Sequence, residues 1–212
     1  MLSGVGPSVH GVRWNTWTPG QGYLDRPTVF SVASGAGRAT AAFVAKAKLQ
    51  FLLPPQVVSH VAVLPFPRFD QTAVARRAAA YLEQVRPHLL FVHVADPDDA
   101  GHRVGWMSEP YRQAVARLPG TVRALRDVLD RLGAPYLLIL TADHGGHGRT
   151  HGSADPQDVT IPWVAWGAVV PGPVRREVVT YDTAATVVAA LGLAVPADWQ
   201  GRPVLPVTAG RP

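Results

Sequence analysis

The apolar runs in this chain are short, and polar or turn-forming stretches separate them. HLLFVHV (88–94) and YLLIL (136–140) are continuous in apolar character and too short to be helices, so they predict buried strands. TAAFV (40–44) predicts another, and TIPWVAW (160–166) a fourth, with Pro162 near its start. Elsewhere the period changes to that of a helix. Across 71–85 the residues Ala75, Ala78, Ala79, Leu82 and Val85 share one face, Asp70 is placed to cap the start, and Pro87 closes the end. Residues 28–37 read as a helix capped by Thr28 and ended by Gly35 and Gly37, and 46–53 as a brief helix stopped by Pro54-Pro55. A helical stretch begins at Ser108 and runs to Leu132, with a kink or break expected at Leu118-Pro119-Gly120. The last helix covers 181–191 and ends at Gly192, and the tail 196–212 reads as extended and turn-rich. Helices alternating with buried strands predict an α/β fold, a mostly parallel central sheet with helices on both faces, in a single domain over 1–212.

Composition narrows the chemistry. With 47% hydrophobic and 17% charged residues the chain is globular rather than disordered. It has no cysteine, so a metal must be held by His, Asp or Glu. The net charge of +5 comes from arginine, because Lys46 and Lys48 are the only lysines among 20 basic residues. The arginines are scattered, and the basic run with interleaved aromatics that marks a nucleic-acid surface is missing. A mildly positive field still suits a small anionic substrate. No stretch has the length and apolarity of a transmembrane helix, the first residues do not read as a signal peptide, and the compartment is not legible. The chain opens on a loop with no strand before it.

The two most apolar strands end in similar chemistry. Run 88–94 leads into Asp96-Pro97-Asp98-Asp99-Ala100-Gly101-His102. Run 136–140 leads into Thr141-Ala142-Asp143-His144, then a glycine-rich loop with His147 and His151. In a parallel sheet such loops emerge at one edge, where their side chains can converge. Asp98 and His102 are four apart, a spacing that suits one helical turn or a tight glycine-containing loop. Taken singly, Asp96, Asp98 and Asp99 read as a solvated acidic turn and His102 as a surface histidine. Taken together, four of the eight histidines lie in these two loops, and that clustering points to a metal site.

DPDDAGHRVGW (96–106), TADHGGHGRTHG (141–152), IPWVAWG (161–167), YDTAATVVAALGL (181–193) and the opening SGVGPSVHGVRWN (3–15) together resemble the alkaline phosphatase superfamily, and within it the type I phosphodiesterase/nucleotide pyrophosphatase family. The resemblance implies an alkaline phosphatase-like fold and two divalent metal ions, zinc above all. It implies that Asp98, His102 and His151 hold one ion and that Asp143 and His144 supply half of the set for the other. His147 is an alternative to His151 as third ligand, and otherwise belongs to the loop. Asn15 matches the residue whose amide holds a phosphoryl oxygen. In the family a Thr or Ser hydroxyl attacks and becomes phosphorylated, while two metal ions clamp the attacking and leaving oxygens.

Two parts of that pattern have no match in this chain: an Asp at the end of a first strand, and the Thr or Ser nucleophile. The family spacing puts the nucleophile about seven positions before Met1, at the start of a helix. Ser3 and Ser8 lie beyond that position. The expectation is therefore a truncated catalytic domain lacking its first strand–helix unit, inactive by itself as a phosphodiesterase. The alternatives are a pseudoenzyme retaining one metal site, another superfamily hydrolase such as a sulfatase, phosphonate hydrolase or phosphomonoesterase, a phosphosugar mutase, or a histidine-rich metal-binding module. Trp14 and Trp17, near Tyr23, are candidates for stacking on a substrate base and equally for packing.

Overall fold

The computed structural model describes residues 1–167, 173–174 and 176–205. The elements in chain order are α1 (Pro7–His10), α2 (Val29–Gly35), β1 (Thr40–Val44), β2 (His60–Val63), α3 (Gln71–Val85), β3 (Leu89–His93), α4 (Asp96–Val104), α5 (Glu109–Leu132), β4 (Leu137–Thr141), α6 (Pro156–Val159), β5 (Trp163–Gly167) and α7 (Asp182–Ala190). Residues 206–212 of the expected extended tail lie outside the described residues.

β1 is buried along its whole length and is the middle of a three-stranded parallel sheet of order β2-β1-β3. Its side chains alternate between two layers, as the period of two requires. Ala42 and Val44 pack with Phe30 of α2 and with Ala184, Ala185 and Val188 of α7. Ala41 and Phe43 pack with Val74 and Ala78 of α3. Helices therefore cover both faces, as a parallel sheet needs. Phe30 is fully buried and meets Phe91 of β3 edge-to-face at 6.2 Å.

Three sequence expectations need correction. β2, four residues at a sheet edge, is a strand the apolar pattern did not predict. Residues 96–104, read as a loop or single turn, form a nine-residue helix with Pro97 in its first turn, where a missing N–H costs nothing. Where a kink or break is expected at Pro119, helix α5 is unbroken. Pro119 and Gly120 are on its exposed side, where water can take the carbonyl that proline leaves unpaired.

The sheet is also divided. β4 pairs antiparallel with β5 and with no other strand among the described residues, so β3 and β4 each keep one free edge. Both edges line a cavity of about 1330 Å³. Leu125 of α5 lies on the side of Leu90 and Val92, and Val187 of α7 on the side of Leu89 and Phe91. This explains why the two most apolar runs in the sequence, expected to be fully buried, are only half-buried.

Free strand edges beside an apolar cavity are a template for pairing and a site for apolar probes. The purified chain is expected to elute above its monomer mass in light-scattering chromatography and to enhance anilinonaphthalene sulfonate fluorescence without denaturant. A monomeric chain silent to the dye would mean that the cavity closes in solution.

Candidate metal centre

The carboxyl ends of β3 and β4 meet although the strands do not pair. Asp98 lies in the first turn of α4, and His102 follows one turn later on the same side. His144 and His151 come from the loop after β4. Asp98 Oδ1 lies 3.5 Å from His102 Nε2, 3.6 Å from His144 Nε2 and 3.8 Å from His151 Nε2. The His144 and His151 rings stack, with centroids 3.6 Å apart and planes 12° from parallel. Asp143 is exposed, and among the described residues its one ion pair is with His144, at 3.7 Å.

The tautomers are set from behind. His102 Nδ1 is 3.1 Å from the Arg149 carbonyl and His144 Nδ1 is 2.7 Å from the Gly145 carbonyl. A carbonyl only accepts, so each Nδ1 carries a proton, and in the neutral imidazole Nε2 is the atom with the lone pair on the Asp98 side. Backing of this kind is how metal-binding imidazoles are oriented.

The donor set fits a divalent ion. Asp98 Oδ1 is buried and has no hydrogen-bond partner among the described residues. Its separations from the three imidazole nitrogens are too long for hydrogen bonds. They are close to the spacing of about 3.3 Å between ligand atoms around a tetrahedral zinc. Ligand atoms of Asp98, His102 and His151 all lie within 4.8 Å of one another. Burial pushes the Asp98 carboxyl up, but the Lys46 ammonium on Oδ2, with His102 and His144 nearby, outweighs it and holds the group below its ordinary value. Burial holds the His151 imidazole down, helped by His144 and opposed by Asp98, so His151 is neutral and able to ligate near pH 7.

His147 is placed elsewhere. Its Nδ1 bonds to Asp158 Oδ1 at 2.8 Å, and Asp158 also accepts from the Ser153 amide and hydroxyl. Asp96, read as a loop acid, is buried and accepts from the Gln71 amide at the start of α3. Asn15 is joined through Oδ1 to Lys48 Nζ. Trp14 packs edge-to-face on Phe51 at 4.7 Å, which takes it for the fold, and Trp17 donates to the Gly22 carbonyl.

Sequence reasoning missed Lys46, Lys48, Trp106, Asp158 and His93. The lysines carried a usable signal, since both follow a buried strand in a chain whose other basic residues are arginines. His93 at the end of β3 is a half-buried imidazole held down by desolvation, with Asp143, Lys46 and Asp98 as charged neighbours. Trp106 joins the two ligand loops. A methyl group on Gly146 would lie 2.2 Å from Trp106 Cε2, and one on Gly101 would lie 2.7 Å from the same atom. Only glycine lets α4 and the loop after β4 close on the same edge shared by the two rings of that indole. The Trp106 amide also donates to the Gly148 carbonyl at 2.8 Å.

The His147–Asp158 pair yields a pH prediction. His147 pulls Asp158 down from 3.8 to about 2, and Asp158 in turn raises His147 above 6.5. Stability from the lowered Asp158 is present above 3.8 and is lost as pH falls toward about 2. Stability from the raised His147 is present below 6.5 and is lost as pH rises through its folded value. In thermal unfolding, Asp158→Asn is therefore expected to cost most between those two ordinary values and less at pH 8. An equal cost at pH 5 and pH 8 would contradict the ion pair.

Comparison with known proteins places the chain in a family. A type I phosphodiesterase/nucleotide pyrophosphatase family match covers residues 1–152. The chain is 28% identical over 175 residues to human GPI ethanolamine phosphate transferase 2, catalytic subunit, a match covering 76% of this chain and 18% of that protein. It is 46% identical over 72 residues to a phosphopentomutase of Anaeromyxobacter sp. (strain K), covering 32% of this chain and 17% of that protein. The fold is similar to that of a 2-O GAG sulfatase, with a TM-score of 0.66 at 20% identity over 96% of this chain and 61% of that one. It is also similar to murine ectonucleotide pyrophosphatase/phosphodiesterase 5, with a TM-score of 0.53 at 18% identity over 68% of this chain and 43% of that one. The chain thus spans less than a fifth of the length of either curated relative. With an alkaline phosphatase-like α/β fold and its Asp-His motifs within the matched residues, the chain belongs to the type I phosphodiesterase/nucleotide pyrophosphatase family.

Proposed function

We propose that this chain is the metal-binding part of a hydrolase acting on phosphodiester or nucleotide pyrophosphate bonds, with two zinc ions in the complete site. The observation that carries this reading is Asp98 Oδ1, a buried carboxylate oxygen that has no hydrogen-bond partner among the described residues and faces three imidazole nitrogens. Family membership supplies the phosphoester class of substrate.

Asp98, His102 and His151 would hold one ion, and three protein ligands leave a zinc an open position. Asp143 and His144 would contribute to the second. Bound there, divalent ions neutralise phosphoryl charge and lower the pKa of a hydroxyl. The protein's own work is orientation and charge. The Arg149 and Gly145 carbonyls keep the Nε2 atoms of His102 and His144 turned inward. Lys46 occupies Asp98 Oδ2, so that Oδ1 is the atom presented to the centre. The Asn15 amide, held through its oxygen by Lys48, has its N–H donors for a phosphoryl oxygen on which charge develops. No hydroxyl among the 212 residues is assigned as nucleophile, so the chain alone is expected to be close to inert.

Elemental analysis after dialysis should find about one zinc per chain held firmly, because one set has three ligands and the other two. Asp98→Ala and His102→Ala should each remove it, while Asp143→Ala should leave it in place. Nitrophenolate release from an activated phosphodiester should stay near background. Zinc retained in Asp98→Ala would sink the assignment of the centre, and turnover well above background would show that one of these residues attacks.

A further inference from the structure

Leu24, Phe51 and Leu52 line the large cavity and also a second, smaller one of about 210 Å³. None of the candidate metal ligands lines the smaller one. Its lining is divided by polarity. Leu24, Phe51 and Val57 are half-buried and give it an apolar floor, while Tyr23, Arg26 and Gln56 are exposed and give it a polar mouth. Thr28 and Ser31 also line it, but their hydroxyls are engaged in capping α2.

The shape is held by the protein itself. The Leu24 amide donates to the Phe51 carbonyl at 2.9 Å, which joins two sides of the floor, and the Val57 amide donates to the Pro54 carbonyl at 2.9 Å. The Tyr23 ring leans on Trp17 with centroids 5.9 Å apart, and the Trp17 indole N–H is fixed on the Gly22 carbonyl at 2.7 Å. A hollow formed before its ligand arrives lowers the ordering cost of binding.

Arg26 sets the charge of the ligand. Other exposed arginines have carboxylate partners: Arg112 pairs with Glu109, Arg126 with Asp130 and Arg131 with Glu83. Arg26, among the described residues, forms neither an ion pair nor a side-chain hydrogen bond. A guanidinium is a planar fork that takes the two oxygens of a carboxylate together. The floor offers no donors for a second charged group, so the rest of the ligand is apolar. Sites for drug-sized molecules begin at about 300 Å³, and this smaller space fits a single flat ring.

We propose that this hollow binds a small aromatic carboxylate, its ring against Leu24, Phe51 and Val57 and its carboxylate on the Arg26 guanidinium, with the Tyr23 hydroxyl as a second donor. The site is separate from the metal centre and does not depend on the phosphoester reading.

The probe is benzoate, titrated into the full chain and followed by calorimetry and saturation-transfer NMR. Benzoate is expected to bind saturably at one site. Benzamide, the same shape without the charge, should bind about tenfold or more weakly, as expected for losing one charge-assisted contact. Acetate, the charge without the ring, should also be weaker. Arg26→Met should bring benzoate to the level of benzamide, and Arg26→Lys should restore part of the loss. Binding should be the same with zinc and after chelation, which keeps this inference apart from the metal assignment. A variant that misfolds is bypassed by treating the wild-type chain with phenylglyoxal and reading arginines by peptide mass spectrometry, where benzoate should protect Arg26 selectively. Zinc-dependent binding would put the carboxylate on the metal, and equal affinity for benzoate and benzamide would put the ring in the larger cavity. Either result overturns the proposal, as does benzoate affinity unchanged in Arg26→Met, no benzoate binding by the wild type, or Arg26 modified at the same rate with and without benzoate.

Discussion

The centre depends on a single carboxylate. Asp98 presents one oxygen to Lys46 and the other to imidazoles from two separate parts of the chain. A buried carboxylate is tolerated only where opposite charge or donors compensate its lost hydration. Here Lys46 compensates one oxygen, and the other faces imidazole nitrogens whose Nδ1 atoms are held by carbonyls in His102 and His144, so that in the neutral imidazoles it meets lone pairs. Such an arrangement is unfavourable for a protein alone and favourable around a divalent cation. The same carboxylate explains why α4 begins immediately after β3. The first turn of a helix is where an acidic side chain is best accommodated, and one further turn brings His102 to the same side.

Loop contacts, more than strand pairing, bring the two ligand sets together. β3 and β4 are separated by the cavity, yet their carboxyl ends meet within ion-pair distance. Trp106 spans the gap, with Gly101 of one ligand segment and Gly146 of the other both packed against it. The amides of Gly145 and Gly146 donate to the carbonyls of Asp158 and Gln157, which ties the ligand loop to α6. Asp158 fastens the same loop through His147 and Ser153. Histidines of one loop thus divide their work. His144 and His151 face the centre, while His147 holds the scaffold that positions them.

The sequence by itself determined the α/β class, most element positions and the clustering of Asp98, His102, Asp143, His144 and His151 in two loops at strand ends. These are local or periodic properties. A continuous apolar run reports a strand, a cap residue reports a helix start, and Asp and His at strand ends report where ligands are presented. Asp70 and Thr28 cap their helices as read, each accepting an amide from the third helical residue. Local signals also misled where the outcome depended on surroundings. Pro119 reads as a break, but on the exposed side of a long packed helix the lost hydrogen bond is replaced by water.

Only the tertiary structure decided what each polar group faces. His147 and His151 are four residues apart in one glycine-rich loop and equivalent by composition, yet one bonds Asp158 and the other faces Asp98. That choice depends on where α6 delivers a buried carboxylate. Lys46 and Lys48 are two residues apart, and one is neutralised while the other is not, because Asp98 is within reach of only the first. The division of the sheet was equally hidden, since an apolar run has the same pattern whether its edge meets another strand or a cavity. Periodicity encodes which side of an element is apolar. Partners distant in sequence fix charge pairing, tautomer and strand neighbours, and those are settled only when the chain has folded.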